Sequence, residues 1–109
     1  MPDVREYFDA SDRSPFRIWS DGLIGAAAAK VRTAIARLEL GNFSNVKSVG
    51  SGVFERKIDF GPGYRVYFGK DGEHLVILLG GGDKKRQTAD IAAARASWAD
   101  YKRRKQQGE

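Results

Sequence analysis

The sequence contains no cysteine, and it contains a single histidine, His74. Without cysteine the chain can form neither a disulfide nor a thiolate metal site. One histidine excludes a histidine-rich metal site and disfavours a serine–histidine catalytic pair. We therefore expect a protein that works without a metal ion and without any other cofactor.

Long apolar runs are also absent. The longest, residues 75–79, has the length of a buried strand, whereas crossing a bilayer takes about 20 residues. The first six residues, Met-Pro-Asp-Val-Arg-Glu, are polar and lack the apolar core of a signal peptide. These absences predict a cytoplasmic protein with no membrane contact.

The composition indicates one folded domain over residues 1–109, since 41% of the residues are apolar. The net charge is +5 and is unevenly distributed. Residues 84–105 carry eight lysines and arginines against two aspartates. Such a basic half favours a polyanionic partner, with nucleic acid as the first candidate, although a solubilising surface is an equally simple explanation.

Periodicity and turn signals predict seven elements in the order β-α-α-β-β-β-α. This order predicts an α+β fold, a two-layer sandwich whose mainly antiparallel sheet carries the helices on one face. Residues 41–52, rich in glycine, serine and asparagine, are predicted as a loop. The predicted strands span about 4–8, 53–60, 64–69 and 74–80, and the predicted helices span about 15–21, 23–40 and 88–105, the last being basic.

The segment 53–69 is predicted to be a hairpin that turns at Gly61–Gly63. Strand alternation gives it an apolar face and a polar face, and Arg56 falls awkwardly on the apolar one, which requires a position at the rim or a bulge. The predicted register sets Lys57 opposite Tyr67. The polar face collects Glu55, Lys57, Asp59, Arg65 and Tyr67.

Two interpretations of this polar face remain open. The simpler is cross-strand ion pairing of its charged side chains on a solvated surface. The other is cleavage of RNA by its own 2′-hydroxyl, which requires a base, an acid and positive charge at the phosphorus. That charge could come from three residues, Lys57, Arg65 and Lys84, the last of which follows the final predicted strand. The ring of Tyr67 could stack on an RNA base.

Three segments, "LGNFSNVKSVGSGV", "FERKIDFGPGYRVYFG" and "LLGGGDKKRQTADI", resemble the RelE/ParE toxin superfamily. The resemblance covers residues 3–103 and is nearest to the HigB-like branch of addiction-module killer proteins. It implies a RelE-like fold and the toxin of a type II toxin–antitoxin pair. RelE-like members are ribosome-dependent mRNA endoribonucleases that inhibit translation, whereas ParE-like members inhibit DNA gyrase. The implied partners are a helix-turn-helix antitoxin, the ribosome and mRNA.

The resemblance also implies roles for individual residues. Arg65, in "GYRVYF", matches the phosphate-binding arginine, and Lys57 and Lys84 match catalytic basic positions. A tyrosine that RelE-type enzymes carry in the last segment has no counterpart before Tyr101, so an inactive nucleic-acid-binding relative is a third possibility. The general base is Lys57 or, as second choice, Asp90. The implied RNA contacts are Tyr67, Lys85, Arg86 and Gln87, although Gln87 could equally cap the last helix.

Overall fold

The computed structural model describes residues 1–108. They form a five-stranded sheet, three α-helices and one 3-10 turn. The elements in chain order are β1 (Asp3–Glu6), α1 (Pro15–Asp21), α2 (Gly25–Glu39), β2 (Val46–Ser48), β3 (Val53–Ile58), β4 (Tyr64–Lys70), β5 (Leu75–Gly82), the 3-10 turn (Lys84–Arg86) and α3 (Gln87–Gln106).

The sheet has the strand order β1-β5-β4-β3-β2. The four strands from β2 to β5 pair antiparallel, and β1 pairs parallel with β5 at one edge. A bulge interrupts the β4–β5 ladder, because Tyr67 pairs with Gly80 while Phe68 pairs with Leu78. The α+β class and the mainly antiparallel sheet are thus confirmed.

The start of α1 follows from its local sequence. The side chain of Ser14 accepts a hydrogen bond from the backbone N–H of Arg17 at 3.1 Å, and Pro15 occupies the first turn. A serine N-cap followed by proline is the arrangement that satisfies the first exposed amide groups of a helix. The predicted helix over 15–21 is confirmed to the residue.

The helices pack on both faces of the sheet, so the prediction of two layers with all helices on one face is wrong. On one face α1 and α2 cover a cluster that includes Phe16, Leu38 and Phe68. On the other face α3 covers a second cluster through Ala94 and Trp98. The reason lies in the central strands: residues 76–79 of β5 are all buried, and a strand that is apolar on both sides needs cover on both sides.

Two further details differ from prediction. Residues 46–48 form the edge strand β2 against β3, although three residues inside a polar, glycine-rich stretch carry no strand signal. The hairpin register is also two residues away from the predicted one, because the turn spans 59–63: Ile58 pairs with Tyr64, and Lys57 pairs with Arg65. A shift of two residues keeps every side chain on its predicted face.

Candidate phosphate site

The three predicted catalytic residues line one surface depression of about 380 Å³. Lys57 and Arg65 lie directly opposite each other on β3 and β4, so their side chains leave the sheet on the same face. Lys84 opens the 3-10 turn that follows β5, and Arg65 pairs with Gly82 just before it. Side chains from β3, β4 and the 3-10 turn therefore converge at one end of the sheet. We call this depression, completed by residues 59–63, the hairpin depression.

The charges of the hairpin depression are arranged around the turn. Arg65 Nη1 donates a hydrogen bond to the carbonyl of Gly63 at 2.7 Å, which fixes one edge of its guanidinium. Lys57 Nζ lies 3.4 Å from Asp59 Oδ1 in an exposed ion pair. Lys84 is exposed to solvent. Three cations and one carboxylate thus line the depression, which gives it a net positive charge suited to an anion.

A buried carboxylate, Glu55, lies beneath this surface with only 1% of its area exposed. It accepts a hydrogen bond from Gln87 Nε2 at 2.8 Å. Arg65 Nε approaches Glu55 Oε1 to 3.6 Å, and Lys47 Nζ lies 3.8 Å from the same oxygen. The sequence assigned Glu55 to surface ion pairing, whereas the structure makes it the buried counter-charge of Arg65.

Tyr67 lies beneath α3 and is fully buried, so its predicted role as a stacking surface for a base is wrong. The physical reason is again the second helical layer, since Trp98 and Ala94 pack in the same cluster as the Tyr67 ring. Among the described residues its hydroxyl has no hydrogen-bond partner. Burial, together with the nearby Glu55 carboxylate, raises the pKa of Tyr67 well above its usual value.

The predicted RNA-binding residues after β5 divide into two groups. Lys85 and Arg86 are exposed but do not line the hairpin depression. Gln87 instead turns its amide inward to Glu55, so a contact with RNA would have to replace that bond. Asp83 caps the 3-10 turn, since its Oδ1 accepts a hydrogen bond from the Arg86 backbone N–H at 3.2 Å, whereas Arg86, at the N-cap position of α3, makes no side-chain capping bond. Neither alternative proposed for Gln87 describes its observed contact.

Asp90, the second choice for the general base, lies outside the hairpin depression. Its carboxylate packs against Gly82, where an added β-carbon would come within 1.9 Å of Oδ2. That oxygen is buried and has no hydrogen-bond partner in residues 1–108. Burial raises the pKa of the Asp90 carboxyl, while Arg86 opposes the rise. The carboxylate that does line the depression is Asp59, which the sequence assigned only to ion pairing.

Two features are absent from residues 1–108. No group of three or more histidine, aspartate or glutamate side chains is placed to hold a metal ion. None of the helices combines the length and the apolar character needed to cross a membrane.

No family model matches the chain. An uncharacterized protein of Haemophilus influenzae is 52% identical to it over 69 residues, which make up 63% of this chain and 70% of the Haemophilus protein.

Proposed function

This chain belongs to one family with the Haemophilus influenzae protein, and we propose that it is a toxin of a type II toxin–antitoxin pair that cleaves mRNA on the ribosome. The observation that carries the proposal is the convergence of Lys57, Arg65 and Lys84 on the hairpin depression. The resemblance of the sequence to RelE-like toxins, if it extends to function, implies a phosphate-binding arginine at Arg65 and basic residues of the reaction at Lys57 and Lys84. Such a toxin would act in the cytoplasm and be neutralised by a helix-turn-helix antitoxin.

The proposed reaction needs no metal. The 2′-oxygen of one nucleotide attacks the adjacent phosphorus, the new O2′–P bond forms and the P–O5′ bond breaks. Arg65 and Lys84 hold the phosphate and stabilise the extra negative charge of the transition state. A guanidinium already fixed by the Gly63 carbonyl is well suited to this because little reorganisation is needed.

The two protons are handled by the exposed pair of Lys57 and Asp59 together with Lys84. In that ion pair the carboxylate is the proton acceptor and the ammonium is the proton donor. Asp59 takes the proton of the 2′-hydroxyl, and Lys57 or Lys84 gives a proton to the leaving 5′-oxygen. This assignment gives the role of general base to Asp59 in place of both earlier candidates. Lys57, the first choice, becomes a proton donor, and Asp90, the second choice, does not line the depression.

Binding to the ribosome requires further positive charge. At the C-terminal end of α3 much of that charge is already paired, since Arg103 and Arg104 contact Asp100 and Lys105 contacts Asp71. Lys85 and Arg86, by contrast, form no ion pair among the described residues and adjoin Lys84. We therefore place the main contact with ribosomal RNA at the 3-10 turn rather than at the end of α3.

The test is induced expression followed by mapping of mRNA 5′ ends, with and without active translation. We expect ribosome-dependent cuts with the natural chain and at least a hundredfold fewer with Lys57→Gln plus Lys84→Gln, because general acid–base groups typically contribute 10²–10⁴-fold. These exposed residues are better choices than Arg65→Ala, which would leave the buried Glu55 carboxylate with only the exposed Lys47 as a counter-charge. Arg13→Gln, an exposed position outside the depression, is the matched control.

Three outcomes would contradict the proposal. Undiminished cleavage by the double variant would remove the hairpin depression from the reaction. DNA breaks with intact mRNA would indicate a gyrase inhibitor. Normal growth and intact mRNA with a folded, abundant chain would indicate an inactive relative.

A further inference from the structure

A second cationic depression lies on the opposite side of β3, facing α2. Its volume is about 250 Å³. Four cations and one carboxylate line it, which leaves a net charge of about +3 before any hydrogen bonding is considered. We call it the Arg56 depression, and its charged lining consists of Lys30, Arg37, Arg56, Lys57 and Asp59.

Arg56 is the unusual member of this set because it is only 3% exposed. Its Nη1 donates to the carbonyl of Asn42 at 2.7 Å. Within residues 1–108 no carboxylate forms an ion pair with it, and the nearby charge is another cation, Arg37. Burial and the Arg37 charge together lower the pKa of Arg56. A buried cation beside a second cation is costly unless an anion compensates it.

The two cations that α2 contributes to the depression are available to a ligand. Arg37 and Lys30 are exposed on α2 and form no ion pair among the described residues. Lys30 Nζ instead lies over the ring of Phe60, 5.7 Å from its centre, and Phe60 also lines the hairpin depression. The lining further includes Thr33 and Asn45, whose hydroxyl and amide groups can donate hydrogen bonds to an anion.

The Arg56 depression continues into the hairpin depression. Lys57 and Asp59 line both of them. Arg56 and Lys57 are neighbours near the end of β3, so their side chains leave opposite faces of the sheet while their backbones lie one residue apart. A chain of regularly spaced anions that occupies one depression can therefore pass around the end of β3 into the other.

We propose that the Arg56 depression binds a second phosphate group of the same RNA strand whose reacting phosphate occupies the hairpin depression. This second site presupposes the proposed function and adds a substrate contact to it. Two guanidinium groups offer planar donor forks that match the oxygens of a phosphate or of a carboxylate. Phosphate is favoured over the carboxylate of an acidic protein segment because the adjoining depression is also suited to a phosphate, which gives the two sites one continuous ligand.

The test measures binding of a short single-stranded RNA whose 2′-hydroxyl groups are methylated, so that it cannot be cleaved. Arg37→Gln is the informative variant because Arg37 is exposed and its loss should not disturb the fold. Arg32→Gln is the matched control: Arg32 lies on the same helix, is also exposed, and lines the groove between α1 and α2 instead.

We expect Arg37→Gln to weaken binding roughly tenfold, as for loss of one hydrogen bond to a charged group. The slope of log affinity against log salt should also fall by about 0.7, the value for one phosphate contact on a single strand. Arg32→Gln should stay within twofold of the natural chain. Equal affinities and slopes for Arg37→Gln and the natural chain would overturn the second site while leaving the proposed function intact.

A second measurement separates failure of this site from failure of the proposed function. Inorganic phosphate is titrated into the natural chain while the Arg56 side-chain N–H signal is followed by NMR. A saturable shift that Arg37→Gln abolishes supports the site even if no RNA binds, in which case the proposed function is the part that fails. The absence of any shift with phosphate would overturn the site. A shift that a polyglutamate peptide produces, but that neither phosphate nor RNA produces, would overturn it as well.

Discussion

Replacing Glu55 by glutamine should destabilise the fold more than any exposed charge change. Glutamine keeps the volume and can still accept the hydrogen bond from Gln87, which the carboxylate now accepts at 2.8 Å. It removes the negative charge that lies 3.6 Å from Arg65 Nε, and Arg65 itself is 6% exposed. The main change is therefore a buried guanidinium deprived of its counter-charge, since the other partner of Glu55, Lys47, is exposed to solvent.

The expected magnitude follows from that geometry. Removing one partner of a buried ion pair typically costs 3–5 kcal/mol. The 3.6 Å contact lacks a hydrogen bond, and Arg65 keeps its bond to Gly63, so we expect the lower end, about 3 kcal/mol. For a domain of this size the midpoint of thermal unfolding should fall by roughly 10–20 °C.

Urea unfolding at pH 7 measures this loss directly. Glu73→Gln, in the exposed turn before β5, is the control and should change the free energy of unfolding by less than about 0.5 kcal/mol. Adding Arg65→Gln to Glu55→Gln should cost less than Arg65→Gln alone, because no charge then remains buried without a partner. A loss below about 0.5 kcal/mol for Glu55→Gln would refute the role of Glu55 as counter-charge.

Two further predictions concern the packing of α3 on the sheet. Gly69→Ala should lower the free energy of unfolding by about 1–3 kcal/mol, measured by chemical denaturation, because the new β-carbon would lie 2.5 Å from the Trp98 ring. Gly80→Ala is the control, since its β-carbon would meet nothing within 4 Å. Equal losses of stability in the two variants would contradict the close packing of Trp98 on Gly69. Burial raises the pKa of the Asp90 carboxyl in the folded protein. The folded protein therefore holds this proton more tightly than the unfolded chain does. The free energy of unfolding should consequently fall as the pH rises above about 4. Asp90→Asn should therefore unfold at a higher urea concentration than the natural chain at pH 7, but not at pH 3. A lower urea midpoint for the variant at pH 7 would contradict this and would mean that the attraction of the Asp90 carboxylate to the N-terminus of α3 dominates.

The sequence predicted the elements whose signals are local. Ser14-Pro15 marked the start of α1, and the alternation in 53–69 correctly divided the hairpin into two faces. Both depend on contacts between near neighbours in the chain. The same alternation placed Arg56 on the apolar side, and the structure shows it buried there, with Nη1 donating a hydrogen bond to the Asn42 carbonyl.

The predictions that proved wrong depend on contacts between segments that are distant in the chain. The position of α3 on the far face depends on Gly69 leaving room for Trp98, 29 positions later, and no local pattern announces that contact. Once α3 covers that face, Tyr67 is buried and Gln87 turns toward Glu55. One long-range packing choice therefore changed two of the predicted RNA contacts.

The sequence predicted only part of the arrangement in the hairpin depression, where Lys57, Arg65 and Lys84 converge. Alternation placed Lys57 and Arg65 on one face, but their direct pairing depends on the five-residue turn. The inclusion of Asp59 among the lining residues follows from the same turn. A periodic pattern fixes which side of a strand a residue occupies, whereas the length of a turn fixes which residues meet.

The most direct test of the central claim is a double-mutant cycle between Lys57→Gln and Lys84→Gln, read out as affinity for the uncleavable RNA. Two lysines that contact one phosphate should be coupled, so that the two losses differ from additivity by at least about 0.5 kcal/mol. Losses that add within about 0.3 kcal/mol, or an RNA affinity that neither substitution changes, would contradict a single phosphate site at the end of the sheet.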